Sequence, residues 1–219
     1  VRSPGLFAAY HRDAERTAEA KSADGWFSTG DIGYVDEDGH LRIVDRAVHV
    51  GALSDGTPYA PKALENKLKF VSYIKEAVAF GHGRDMVCVL VDIDAAAVSR
   101  WADKRGITYT GQSDLAWRDE VYDLIAGCIA TVNGELALDP VLAKCQLRRF
   151  SILHKELSAD DGLLTRTGKL RRGAIADRYG ELVDAMYAGH SDSAGEDGSP
   201  RRKIRDAKTV APAGNRRAA

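Results

Sequence analysis

Three charged residues have neighbours that could put them to chemical use. Asp31 ends the run Ser28-Thr29-Gly30-Asp31, Arg46 ends the step Asp45-Arg46, and Lys169 ends Thr165-Arg166-Thr167-Gly168-Lys169. A lysine in a glycine-containing loop ahead of a helix can reach a phosphate, because free N–H groups and the helix dipole already favour an anion there. The spacing before Gly168-Lys169 is not that of a Walker loop. Asp31 and Arg46 bracket a segment that reads as a β-hairpin. A stiff hairpin can hold a carboxylate and a guanidinium in fixed relation to a ligand.

The elements that must position these groups follow from local pattern. Ile32, Tyr34 and Val35 precede Asp36-Glu37-Asp38-Gly39, and Leu41, Ile43 and Val44 follow it. Asp-Gly between β-prone runs signals a hairpin, since glycine takes the positive φ of the turn. Upstream, residues 11–20 read as a polar helix. Pro61 suits a first helical position, and the helix after it places Leu64, Leu68 and Val71 on one face, with Glu65 and Lys69 as an i,i+4 pair on another. Residues 74–80 and 86–93 read as strands, the second nearly continuous in apolar residues, as in a strand buried on both faces. Residues 95–105 read as a helix with Val98 and Trp101 inward, ended by Gly106. Ser113-Asp114 is a candidate N-cap for a helix striped with Trp117, Val121, Leu124, Ile125, Cys128 and Val132. Residues 146–153 read as a strand. After Lys169, a final helix presents Ile175, Tyr179, Leu182, Val183 and Met186.

Composition bounds the function. The 219 residues are 44% hydrophobic with net charge −1, enough for one or two domains with a real core. No apolar run reaches the length of a membrane span, and the N-terminal residues lack the apolar core of a signal peptide. Cys88, Cys128 and Cys145 lie among apolar residues without metal-ligand spacing, which suits buried thiols in a reducing cytoplasm. The basic residues concentrate beyond position 199, so the globular part is mildly acidic and gives no reason to expect nucleic-acid binding. Residues 190–219 lack periodicity and are expected to be disordered. Their cluster Arg201-Arg202-Lys203-Ile204-Arg205 offers at most weak contact with anionic lipid.

The run GWFSTGDIGYVDEDGHLRIVDR, residues 25–46, resembles the adenylate-forming acyl-CoA synthetase family. LLTRTGKLRR, about 120 residues downstream, resembles that family's closing motif LTxTxKxxR. DGTPYAPKALENKLKFVSYIKEAVAFG resembles its long-chain fatty-acid–CoA ligase branch. The resemblance covers residues 1–189. It implies an α+β chain: a β-hairpin remnant of a large N-terminal domain, a small mixed α/β C-terminal lobe and a disordered tail. The implied division is 1–45, 46–189 and 190–219. The chain opens on Val1 in mid-pattern, and is read as the last third of a family member whose N-terminal domain lies upstream.

By the same resemblance Asp31 holds the ribose hydroxyls of ATP, Arg46 contacts the nucleotide, Val48 lies at the domain hinge and Lys169 is the adenylation lysine. Val48-His49 replaces the Lys-Asp common at that hinge. The implied reaction joins a fatty acid to coenzyme A through an acyl-adenylate, with ATP and Mg²⁺, in the cytoplasm. No protein-held metal site is expected. Two other readings use the same residues: a non-catalytic remnant that binds nucleotide or protein, and the adenylation domain of another acyl-activating enzyme.

Overall fold

In the computed structural model, which describes residues 1–193 and 202–211, the chain divides into compact units at Val50/Gly51. In the first unit Asp13 caps α1 (Ala14–Ala20), its Oδ1 accepting from the Arg16 N–H at 3.0 Å. β1 (Asp31–Val35) and β2 (Leu41–Arg46) pair antiparallel, from Asp31 opposite Arg46 to Val35 opposite Leu41. Gly39 turns the chain with φ +82°. The register slips at Ile32/Gly33, and a Cβ on Gly33 would lie 2.4 Å from the Arg42 carbonyl oxygen. The expected hairpin is therefore present. Its apolar face, with Ile32, Val35, Leu41 and Ile43, is exposed.

The second unit opens with the small pair β3 (Gly51–Ala52) and β4 (Pro58–Tyr59) and the helix α2 (Pro61–Lys69), with Pro61 in its first turn. A four-stranded sheet follows. β5 (Ile74–Phe80) and β6 (Val87–Ile93) are antiparallel neighbours. A crossover of α3 (Ala95–Asp103), α4 (Gln112–Leu115) and α5 (Asp119–Leu138) returns the chain to β7 (Leu147–Ile152), parallel to β6. α6 (Arg172–Tyr187) packs Ile175, Tyr179, Leu182, Val183 and Met186 with Val78, Cys88 and Leu90. On β7, Phe150 stacks on Tyr122 of α5, ring centroids 5.6 Å apart. All seven residues of β6 are buried, as a strand with helices on both faces requires.

Several expectations need correction. Glu65 does not pair with Lys69: it is buried and bound to Arg172, while Lys69 Nζ lies 2.6 Å from Glu76. Ser113-Asp114 lies inside α4, so it does not cap the long helix; Asp114 instead accepts from the Thr110 N–H and pairs with Arg118. Trp117 precedes α5, and the helix's buried stripe is Val121, Ile125, Ile129, Val132 and Leu136. Val71 falls beyond α2, and Trp101 is half-buried beneath the Arg105 guanidinium. α5 is long and apolar enough by composition to cross a membrane, contrary to the expectation; one face of it serves the core.

The expected disorder of residues 190–219 is wrong for the residues described there. β8 (Asp192–Ser193) pairs with β9 (Arg202–Lys203), and β10 (Arg205–Asp206) adds to the sheet beside β7, giving the order β10-β7-β6-β5. Ile204 is buried in the α6 cluster. Asn133 Nδ2 donates to the Lys208 carbonyl at 2.8 Å, and Gln146 exchanges two hydrogen bonds with the Val210 backbone. Lys203 and Arg205 pair with Asp119, and Arg205 also with Asp123. Those cations face acids of α5, which removes the basis for the expected lipid contact at these two positions; Arg201 lies outside the described residues. The composition is that of a tail because only one large apolar side chain is needed to hold it. Ile204→Ala should cost about 2–4 kcal/mol, read as a lower urea midpoint at unchanged slope; an unchanged midpoint would mean the strap contributes nothing.

Candidate functional site

In the first unit, antiparallel register alone sets Asp31 against Arg46. Arg46 Nη1 donates to Asp31 Oδ1 at 3.0 Å, with both side chains part-exposed. Gly30, at φ +72°, turns the chain beneath them, and its carbonyl accepts from the Ala47 N–H at 2.7 Å. Asp45, beside Arg46, is buried; His49 Nδ1 lies 3.4 Å from its Oδ1. After β2 the His49 and Val50 N–H groups both donate to the Arg46 carbonyl, at 2.9 and 3.2 Å, and Val48 is 85% exposed between them. Asp36, Asp38 and His40 cluster at the hairpin turn. Asp36 accepts from Arg42 Nε at 2.8 Å, which with the His40 N–H holds its carboxyl below the usual range. In this exposed turn Asp36 is already engaged by an arginine.

In the second unit, Lys169 stands on a closed turn. The Thr165 N–H donates to the Lys169 carbonyl at 2.8 Å, and the Lys169 N–H to Thr165 Oγ1 at 3.0 Å. Gly168 takes φ +73°, and Leu164 and Leu170 bridge at the base. Leu163, Leu164 and Leu170 sink that base into the α6 cluster, so apolar burial fixes the turn while its tip stays in water. The Lys169 side chain is exposed and has no ion pair among the described residues.

Three residues on, Arg172 opens α6. Its Nη2 lies 2.5 Å from both Glu65 oxygens, and its Nη1 donates to the Ala79 carbonyl at 3.4 Å. Glu65 Oε1 also accepts from the Ala79 N–H at 2.8 Å. Burial pushes the Glu65 carboxyl above its ordinary range; the guanidinium and the Ala79 N–H oppose that rise. The sequence placed Glu65 on another face, paired with Lys69, and gave Arg172 no role although it closes the LTxTxKxxR run. The available signal was an acid on the apolar face of α2, beside Leu64 and Leu68.

The Gly51–Tyr59 segment is tightly built. A Cβ on Gly51 would lie 2.1 Å from His82 Nδ1, and one on Gly81 2.9 Å from the Tyr59 ring. Cys145 Sγ donates to the Pro58 carbonyl at 3.1 Å. Burial pushes the Cys145 thiol up to about 11 and Cys88 up to about 12, so neither is a thiolate nucleophile.

The segment leading to Lys169 is tied down by Asp92 on β6, whose Oδ2 accepts from the Leu157 N–H at 3.0 Å. Its Oδ1 is buried without a partner, and burial pushes the carboxyl up to about 7.

A family model described as the AMP-binding enzyme C-terminal domain matches residues 49–191. The chain belongs to that family. It is 35% identical over 190 residues to the long-chain-fatty-acid–CoA ligase FadD15 of Mycobacterium tuberculosis, covering 85% of this chain and 30% of the relative. It is 33% identical over 194 residues to human long-chain-fatty-acid–CoA ligase 1, covering 86% and 26%. The chain thus spans less than a third of the length of these relatives. Among solved structures, the A domain of a carboxylic acid reductase from Segniliparus rugosus, in complex with AMP and a co-purified carboxylic acid, superposes with a TM-score of 0.60 at 23% identity, over 86% of this chain and 27% of that one. The adenylation domain of a carboxylate reductase from Mycobacterium chelonae gives 0.59 at 24%, over 84% and 26%. At that identity the likeness establishes the fold: the small α/β lobe of adenylate-forming enzymes.

Asp92 makes stability fall with pH. Its folded form keeps a proton up to about 7, whereas the unfolded chain loses it near 3.8. The favourable contribution is complete below the unfolded value and is lost as pH rises through the folded one. Asp92→Asn should flatten the urea-unfolding profile across that window and gain on the parent by roughly 3–4 kcal/mol from its acid to its alkaline end. Parallel profiles for the two proteins would refute this.

Proposed function

We propose that the chain is the C-terminal part of an ATP-dependent fatty-acid–CoA ligase. The observation that carries this reading is the Lys169 turn: an exposed ammonium on a rigid base, within LLTRTGKLRR, in a chain of the AMP-binding C-terminal family. A carboxylate is a poor acyl donor because its oxygen is a poor leaving group. In the first half-reaction a fatty-acid carboxylate oxygen attacks the α-phosphorus of ATP, and the bond from that phosphorus to pyrophosphate breaks. Negative charge grows at the crowded phosphorus, and a fixed ammonium there favours the transition state over the bound substrate. Lys169 is assigned that role. Asp31 accepts from the ribose hydroxyls, and Arg46, braced on Asp31 at 3.0 Å, donates to the nucleotide. In the second half-reaction the sulfur of coenzyme A attacks the acyl carbon, and the bond to AMP breaks.

Mg²⁺ enters this scheme as a companion of the ATP phosphates. The Lys169 turn presents hydroxyls and cations, and no carboxylate to hold the ion. Rotation about Val48 between the half-reactions is part of the proposal; its support is that the unit boundary falls two residues beyond Val48. The uncovered apolar face of the β1–β2 hairpin supports an upstream domain. A cytoplasmic location belongs to the same proposal, in keeping with three free thiols. The fold likeness to carboxylate reductase adenylation domains favours a second, broader reading, an acyl-activating domain that hands its acyl group to a different acceptor.

On this reading the isolated 219 residues make no thioester, and measurable thioester formation by them would count against it. In the longer protein, Lys169→Ala should slow adenylate formation by at least about 100-fold, followed by pyrophosphate exchange. Thioester formation from supplied acyl-adenylate should largely survive, and equal loss of both halves would remove the role given to Lys169. Val48→Pro restricts two successive residues and should lower overall turnover more than nucleotide binding. Unchanged turnover would remove the hinge.

A further inference from the structure

The Lys169 turn needs an anchor that does not neutralise it. Its apolar feet, Leu163, Leu164 and Leu170, fix the turn against the core, but apolar contacts are non-directional. Before the turn, Asp92 and the Ser158 carbonyl supply directional contacts; after it, where α6 begins, the directional contact comes from Arg172. β5 is the edge strand of the sheet, so its outward peptide groups have no strand partner. At Ala79 the Glu65–Arg172 pair takes both: the carboxylate accepts from the Ala79 N–H, and the guanidinium donates to the Ala79 carbonyl. The ion pair thus occupies the edge much as another strand would. It joins α2, β5 and the first residue of α6 at one point, three residues from Lys169.

We propose that Arg172 is a positioning residue for adenylation: clamped by Glu65 and the Ala79 carbonyl, it fixes the register of the turn that carries Lys169. This rests on the role of Lys169 in the reading above. A guanidinium suits the task because its rigid plane sets Nη2 on the Glu65 carboxylate and Nη1 on the Ala79 carbonyl at once, whereas an ammonium is a point charge that leaves orientation free. A buried ion pair is weak evidence of stabilisation, and its best-attested use is to specify register. Displacing a reacting group by about 1 Å can cost about 100-fold in rate.

The test uses the longer protein and Arg172→Lys, which keeps the charge opposite Glu65 and loses the fork. Adenylate formation, followed by ATP–pyrophosphate exchange, should fall about 10- to 100-fold in kcat with little change in KM for ATP. Thioester formation from supplied acyl-adenylate should stay within about threefold of the parent and the urea midpoint should be unchanged, since the displaced turn matters only when Lys169 is in use. In a Lys169→Ala background, Arg172→Lys should have no further effect, because a residue acting through Lys169 cannot act without it. Glu65→Gln should reproduce the selective loss of adenylation from the other side of the pair, with a lowered urea midpoint because Arg172 is left without its counter-ion. Equal losses in both half-reactions, or losses that multiply with Lys169→Ala, would overturn the proposal and leave the role of Lys169 standing. Full adenylation in Lys169→Ala alone would bring down that role, and this inference with it.

Discussion

Glu65 is a carboxylate almost wholly removed from water, 3% exposed on the apolar side of α2, and the layout of the second unit depends on how it is satisfied. Desolvating an ion costs several kcal/mol even after relaxation, and only close, well-oriented donors offset it. Arg172 supplies two short contacts and the Ala79 N–H a third. Removing one partner of such a pair typically costs 3–5 kcal/mol, roughly, because the other is left charged and buried. The pair therefore behaves as a single joint. Whatever moves the start of α6 must break it, and whatever keeps it intact also keeps the turn before α6 in place.

The same logic operates at the far end of the helix and at the other edge of the sheet. Arg149 on β7 donates to the carbonyls of Met186 and His190, just where α6 ends, and pairs with Asp206 on β10 at 2.7 Å. The Tyr187 hydroxyl donates to the Phe80 carbonyl at 2.9 Å. The helix is thus pinned by polar contacts at both ends and by apolar burial between them. A kink at Tyr179, over which the Arg202 guanidinium stacks 4.7 Å from the ring centroid, accommodates the fit. The two sides of the sheet end differently: an ion pair meets β5 at Ala79, and the two-residue strand β10 forms the edge beside β7. Short, polar closures limit edge-to-edge association.

How much of this was legible depended on whether the cause lay near in sequence. The hairpin was readable because Asp38-Gly39 and the flanking β-prone residues specify it within a dozen positions. The α6 stripe was readable because its five large core residues repeat at helical spacing. The Lys169 turn was readable only as a glycine-containing loop ahead of a helix; the three leucines that seat its base drew no reading of their own. Glu65 was misread because Lys69, four residues away, is the partner that local rules nominate. Its actual partner is 107 residues distant, and only tertiary packing brings them together. The strap from 202 to 210 escaped for a different reason. Its strands are two residues long, too short to show a period, and it is held by Asn133, Gln146 and Arg149, none of which advertises a backbone partner.

The contrast between Lys169 and the cations around it follows from what each must do. Lys155 is paired with Asp161 at 2.7 Å, Lys203 with Asp119 at 2.9 Å, and Arg172 is buried against Glu65. Each gains something by being neutralised locally: a loop closed, a strap held, a helix started. On the proposed role of Lys169, an ammonium directed at a phosphorus centre gains nothing from a resident carboxylate, which would have to be displaced at every turnover. Water is a better resting partner, since it exchanges readily. The difficulty is entropy: a free lysine has roughly 2 kcal/mol of rotamer freedom to lose, and a mobile backbone would add to that. Fixing Thr165–Lys169 through two backbone hydrogen bonds, a leucine bridge and the nearby arginine joint leaves only the side chain to be ordered. On the proposed role, the arginine that supports the turn is neutralised while Lys169 at its tip stays exposed, where a resident carboxylate would be an obstacle.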